Sequence, residues 1–353
     1  MKDSIQIPLQ WIGPVRIIGP EVNSEVKVPL ATLETPMWPS TNRGASVSRH
    51  CEGIRAVIVD ECMTRSILME ADSAITLVEI VNDLKFREAE LKTVVAGTSR
   101  FAQLIDWNFQ IVGNQLFLRL SAKTGDASGH NMITKAADNV IRFLQNAYAD
   151  LRYVSISGNY CVDKKVSAVN GILGRGKSVI AEILIPRELC LSKLKTTPEK
   201  IVNLNIKKNL LGSLVAGSLR SANAHFANLL YAIYLATGQD VANIVEGSQG
   251  IVYAEMRGED LYFSVSIPNI IVGTTGNGKD VDFAKENLKL MGCHDLPNGM
   301  ASRRLAIIVA ATVLCGEISL LAAQTNYGEL MRAHVDFERG DAVYRVPEMI
   351  ENS

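Results

Sequence analysis

The rhythm of apolar and polar positions changes several times along the chain. "VRIIGPEVNSEVKVPLATLE" is strand-like and broken by Gly-Pro and Asn-Ser, which predicts short strands between turns. "TPMWPSTNRGA" follows as a loop, with a helix opening at Ser40 or Thr41. From about Ile67 the texture shifts. "DSAITLVEIVND" has helical spacing and "QLFLRLSA" alternates like a strand. "NMITKAADNVIRFLQNAY" puts Ile133, Ala137, Val140, Ile141 and Leu144 on one helical face. Beyond it, "SVIAEILIP" and "DLYFSVSIPNIIVGT" read as strands, and "RSANAHFANLLYAIYLATG" as a helix that stops near Gly238. The pattern predicts an α+β protein in which a small block, ending near Arg152, is inserted into a larger one. A polar tail follows Gly340.

One segment, "LAIIVAATVLCGEISLLAA", is apolar enough to suggest a membrane span. Glu317 interrupts it, and the run before that residue is shorter than the roughly 20 apolar residues a bilayer needs. A buried core helix is expected, and no membrane partner. The start, "MKDSIQIPLQ", lacks the apolar core of a signal peptide. With 353 residues there is chain enough for two domains and a large core. A net charge of −1 excludes a global field for nucleic acid, so any anion must be held by local clusters. The six cysteines lack metal-ligand spacing and read as reduced cytoplasmic thiols, with no metal site.

Several short stretches carry candidate chemistry. "SAKTGDASGHNMITK" joins a strand to the strongest helix through Gly125, Asp126 and Gly129, and a helix N-terminus offers unpaired N–H groups to a phosphate. Alone, it reads more readily as a tight turn. "GTTGNGK", with Gly273 and Gly276, has the same ambiguity, and neither is a dinucleotide G-x-G-x-x-G fingerprint. "TSRFAQL" sets Arg100 beside Phe101, a pairing suited to an adenosine phosphate but common on solvated faces. "SGNYCVDKKVSAVNGILGRGKSV" gathers Asp163, Lys164 and Lys165 within a run of small residues. It is either a turn or an oxyanion clamp oriented by a carboxylate. Glu34 closes a strand among apolar residues. Asp240 lies just past a helix, and His334 stands near the C-terminus.

Taken in order, these motifs resemble the 3-hydroxy-3-methylglutaryl-coenzyme A (HMG-CoA) reductase family from about residue 12 to 340. The pattern is similar to the form found in eukaryotes, archaea and some bacteria. The resemblance implies a large substrate-binding domain (residues 1–66 and 168–353) with an inserted ferredoxin-like cofactor domain (67–152), joined through an active-site loop (153–167). It implies NADPH-dependent reduction of HMG-CoA to mevalonate and coenzyme A, a step toward isoprenoids, in a cytoplasmic homodimer with active sites between subunits. The implied catalytic residues are Lys164 as the electrophilic cation, Asp240 as its partner, Glu34 as the acid and His334 as the proton donor to the leaving thiolate. Arg65, Ser157, Asp163, Lys165 and Asn228 are implied in substrate binding, with Asn228 near Lys164. Ser99, Arg100 and Phe101 would face adenosine. Asp126, Gly129, Asn131 and Met132 would face pyrophosphate and ribose, with Gly273 and Gly276 in the second loop. Arg339 would lie near the 2′-phosphate. Two arginines there favour NADPH over NADH.

The chain also departs from the family pattern. Leu33 and Thr35 flank Glu34 where Thr and Gly are usual, His130 replaces an apolar residue, and "GTTGNGK" carries fewer glycines. Gly340 stands where animal and plant members carry a regulatory phosphoserine. The N-terminal dimerisation segment is not recognisable before residue 12, and the eukaryotic membrane anchor is not expected. Two rivals remain open at this point: an NAD-dependent enzyme of the same fold that degrades mevalonate, and a non-catalytic relative that binds an acyl-CoA.

Overall fold

The computed structural model describes residues 5–338. Its strands are β1 (Leu9–Ile18), β2 (Asn23–Ala31), β3 (Ile54–Glu70), β4 (Gln103–Val112), β5 (Gln115–Lys123), β6 (Arg152–Ser155), β7 (Gly176–Ile185), β8 (Ile251–Arg257) and β9 (Asp260–Ile270). The helices that shape the site are α1 (Met37–His50), α2 (Ala74–Phe86), α3 (Glu88–Ala96), α4 (His130–Ala147), α5 (Phe226–Ala236), α6 (Met300–Gln324) and α7 (Glu329–Glu338).

The 17-residue strand β3 serves two sheets. Its first part lies parallel to β1 and antiparallel to β7, within an order β2-β1-β3-β7-β9-β8. From Met63 onward its partners are β5 and β6. The second sheet therefore runs β4-β5-β3-β6, antiparallel throughout. Along the chain this smaller unit is β3-α2-α3-β4-β5-α4-β6. The boundary expected between residues 66 and 67 falls inside β3. Residues 153–155 of the expected loop belong to β6, which pairs with β3. Alternation alone does not reveal where a continuous strand changes partners.

Each sheet has its own core. Under the larger sheet runs α6, against β7, β9, β3, α1 and α5. It is the one helix among the described residues long and apolar enough to cross a membrane, and residues 305–319 are all buried inside the protein. At Gly44 on α1, an added Cβ would stand 2.1 Å from the Cys315 carbonyl oxygen, so α1 and α6 can approach only without a side chain there. Under the smaller sheet, α4 buries Ile133, Ala137, Val140, Ile141 and Leu144 against Leu116, Leu118 and Leu120, the face its spacing predicts. Helix α1 opens at Met37 rather than at Ser40 or Thr41. Pro39 falls in its first turn, where a missing N–H costs nothing, and buried Trp38 donates to the Leu30 carbonyl at 2.9 Å. Helix α5 opens at Phe226, later than its apolar pattern suggests.

Candidate active site

The segment after β6 is tightly bent. Asn159, Val162 and Lys164 all lie in the left-handed region, at φ 59°, 42° and 56°. Such angles strain non-glycine residues by about 1–3 kcal/mol each and persist where surroundings hold them. Here the hold is visible. The Lys164 N–H donates to Glu246 Oε1 at 3.1 Å, and the Asn170 amide donates to the Val162 carbonyl at 2.7 Å. The strained backbone aims the two lysines differently. Lys164 Nζ meets Asp240 Oδ2 at 2.6 Å, whereas Lys165 Nζ curls back to the Asp163 carbonyl at 3.0 Å. The Asp240 hydrogen bond raises the Lys164 pKa above its ordinary value. Partial burial works against Asp240's charge, but its bond to Lys164 prevails and holds the carboxyl below the usual range. The pair is an ammonium–carboxylate pair at neutral pH.

Behind it lies a buried network. Arg175, with no exposed side-chain surface, pairs with Asp163, reaches Glu246 Oε1 at 3.3 Å and donates to the Thr64 carbonyl at 2.8 Å. Burial pushes the Glu246 carboxyl up, although the Lys164 N–H and Arg175 oppose it. One guanidinium thus balances two carboxylates, and removing one partner of such a buried pair costs about 3–5 kcal/mol. Arg65 lies 3.9 Å from Asp163, and its buried Nε has no hydrogen-bond partner. An orphaned buried N–H of this kind suits an anionic ligand. His130 Nε2 is 3.7 Å from Asp163. Burial, then the Arg175 charge, lowers its imidazole pKa to about 4, so it is neutral at neutral pH. Ser157 lies at the start of the bend, its hydroxyl 4.0 Å from Cys161 Sγ.

The two glycine-rich stretches, separate in sequence, pair with each other. Ala127 bridges Thr275, and the Thr274 N–H donates to the Asp126 carbonyl at 2.8 Å. A Cβ on Gly273 would stand 2.3 Å from the Ser128 nitrogen, so this contact requires glycine. Gln239, beside Asp240, clasps Gly273 through both amide atoms at 3.0 Å. The Asp240 turn, the Gly273 loop and the N-terminus of α4 are thereby tied together. Gly129 caps α4 at φ 93°. Asn131 is exposed and Met132 half-buried in its first turn, and Gly276 lies at φ 91° in open space. Asp126 differs from expectation. Its carboxylate accepts the Gly299 and Ser302 N–H groups at 3.2 and 2.8 Å, capping α6.

Nearby, the Arg100 guanidinium lies 4.6 Å over the Phe101 ring, and the Ser99 hydroxyl accepts the Phe101 N–H at 3.3 Å. Arg100 and Phe101 line a hollow of about 400 Å³ with Gly125, Lys123 and Arg303. Glu61 also lines it and binds Arg303 at 2.7 Å, which leaves Arg100, Lys123 and an aromatic face to meet a phosphorylated nucleoside.

A second cleft, of about 450 Å³, is lined by Glu34, Arg43, His225, Asn228 and His334, with Met37, Leu320 and Ala323 as apolar wall. Asn228 was expected near Lys164. The bond the structure gives its amide is to Glu34 Oε2, at 2.9 Å. His334 is carried on α7, which Arg43 anchors through Glu329 at 2.8 Å. Neither Lys164 nor Asp240 lines this cleft. Arg339 lies outside the described residues.

The family model for hydroxymethylglutaryl-coenzyme A reductase matches residues 3–339. The chain belongs to that family. It is 43% identical over 340 residues to the 3-hydroxy-3-methylglutaryl-coenzyme A reductase of Aeropyrum pernix, covering 96% of this chain and 80% of the relative. The Pyrococcus abyssi reductase is 45% identical over 334 residues, covering 94% and 81%. Reductase 1 of Oryza sativa subsp. japonica is 42% identical over 346 residues, covering 95% and 63%. Among solved structures, the class II reductase of Streptococcus pneumoniae, described as bound to NADPH in open conformations, shares the fold with a TM-score of 0.73. It is 18% identical and covers 92% of this chain and 86% of that one.

Within this reductase-family chain, the sequence reading missed four residues that build the site. Arg175 sits in "GRGKS" without any local sign of its role, because its partners are 12, 71 and 111 residues away. Glu246 and Gln239 hold backbone rather than present themselves in a motif. His225 does carry a signal. It lies in "NAHFANLL", three residues before Asn228, and both line the Glu34 cleft.

Proposed function

We propose that the protein reduces HMG-CoA to mevalonate and free coenzyme A, consuming two NADPH and two protons. The observation that carries this reading is the Lys164–Asp240 pair, held at 2.6 Å by a strained loop in a chain of the reductase family. When bound, NADPH supplies hydride to the thioester carbonyl and then to the aldehyde. Lys164 sets a fixed positive charge where the carbonyl oxygen becomes an oxyanion. Asp240 keeps that amine protonated. Glu34, oriented by Asn228, gives a proton to the developing alkoxide. Arg65 and Lys165, with Ser157, hold the substrate carboxylate, and Asp163 orders their loop. The purified protein, given HMG-CoA, should consume two NADPH per thiol released. Acyl-CoA binding without NADPH oxidation would favour a non-catalytic relative, and a strong preference for NADH would favour the mevalonate-degrading direction.

The smaller unit supports a ferredoxin-like reading, since its strand–helix–strand–strand–helix–strand order and β4-β5-β3-β6 sheet match that topology. We assign it NADPH, with Ser99, Arg100 and Phe101 at the adenosine end and Gly129, Asn131, Met132, Gly273 and Gly276 toward the pyrophosphate. Asp126 serves that pocket by fixing its loop to α6. Arg100→Ala is expected to raise the KM for NADPH about tenfold, the loss of one charge-assisted contact, and to leave that for NADH nearly unchanged. Equal losses would move Arg100 away from the 2′-phosphate.

The reading includes a cytoplasmic homodimer. Leu210, Leu211, Leu214, Val215 and Leu219 are exposed within one short segment, a concentration of exposed apolar side chains of the kind a second copy covers. The Glu34 cleft also lacks Lys164 and Asp240 in its own lining. Each site would then take the Lys164–Asp240 pair from one subunit and the Glu34–Asn228–His334 cleft from the other. Mixing inactive Glu34→Gln and Lys164→Ala subunits should restore up to about a quarter of wild-type turnover, since half the dimers are hybrids with one intact site of two. No recovery after subunit exchange would place Glu34 and Lys164 of one site in one chain.

A further inference from the structure

Glu317 interrupts the apolar α6 with no exposed surface. Its Oε1 accepts the His225 N–H at 2.6 Å and its Oε2 the Ala224 N–H at 2.9 Å. No side chain of the entry residue caps α5. The Asn223 side chain accepts the Phe226 N–H at 3.2 Å, and Glu317, from another helix, holds the two N–H groups just before it, with its charge at the positive end of the α5 dipole. Half-buried Lys208 feels the same charge. An apolar residue at 317 would pack the core without the cost of desolvating a carboxylate. What the carboxylate holds lies one turn on. Asn228, third residue of α5, donates to Glu34, and the His225 ring, 4.0 Å from Glu317, lines the same cleft.

We propose that Glu317 is a positioning residue for the reduction. It fixes the first turn of α5, so that Asn228 and His225 face the Glu34 carboxylate in the geometry proton transfer requires. This rests on the reading of Glu34 as the acid. Glu317→Gln keeps the size and one acceptor but loses the charge and the second acceptor. It should lower kcat about tenfold while leaving KM for HMG-CoA and NADPH within about twofold, the split expected when transition-state geometry alone is lost. Combined with Asn228→Ala, it should lower kcat by less than the product of the two single losses, because Glu317 acts in part through Asn228. Unchanged kcat, or losses that multiply, would overturn the proposal. An independent reading needs neither activity nor a folded Glu317 variant. In Glu34→Gln, the Ala224 and His225 backbone amide resonances should move with the Asn228 side-chain amide. If only Asn228 responds, the proposal fails. A wild type without reductase activity, or a fully active Glu34→Gln, would sink the reading of Glu34 instead, and the amide resonances would still decide the coupling.

Discussion

Lys164→Ala is expected to lower turnover by at least about 1,000-fold while the fold survives. Losing one preorganised neutral donor to an oxyanion costs about 100- to 1,000-fold, and an ammonium is a stronger donor than an amide. The side chain is 40% exposed and its partner Asp240 43% exposed, so removing the amine leaves no buried charge unpaired. Alanine tolerates φ 56° no worse than lysine does, and the backbone N–H that binds Glu246 remains. Circular dichroism and thermal unfolding should therefore match the wild type while steady-state NADPH oxidation all but disappears. The charge state follows from the same pair. Asp240 raises the Lys164 pKa, so the amine stays protonated through neutral pH and above its ordinary value, and loses its charge only in more alkaline solution. A variant with near-normal rate would reduce the Asp-Lys-Lys run to a turn.

Local pattern and long-range assembly divide what the sequence discloses. The buried face of α4 is legible because it repeats every three or four residues within one helix. The Asp-Lys-Lys loop is legible by its order among other motifs, since nothing in its composition separates a clamp from a turn. Its strain is not legible: φ values near 50° at Val162 and Lys164 arise because Glu246 and Asn170, distant in sequence, hold the backbone there. The two glycine-rich loops are ambiguous singly, and their pairing through Ala127 and Thr275 spans 148 residues. Asp126 looks like a cofactor ligand at a helix N-terminus. The N–H groups it satisfies belong to a different helix, α6. Glu317 is visible in sequence only as an interruption that argues against a membrane span. Its positive role appears when α5 docks against it.

The second large effect concerns His334, and it separates two half-reactions. Coenzyme A must leave between the two reductions, and a thiolate departs poorly unless it is protonated or stabilised. His334 lines the cleft that holds Glu34 and Asn228, on a helix anchored by the Arg43–Glu329 pair. An imidazole nitrogen can carry a proton and hand it to a departing thiolate. His334→Gln should therefore cut thioester reduction by about 100-fold or more, the usual range for a lost general acid. Reduction of free mevaldehyde, which has no thiolate to protonate, should fall only a few-fold. Lys164→Ala and Glu34→Gln should damage both steps, since each step develops charge on oxygen. The ratio of the two rates in the His334 variant is the decisive quantity. Equal losses in both would remove the thiolate-acid role and leave His334 as a residue that binds substrate or holds α7 in place.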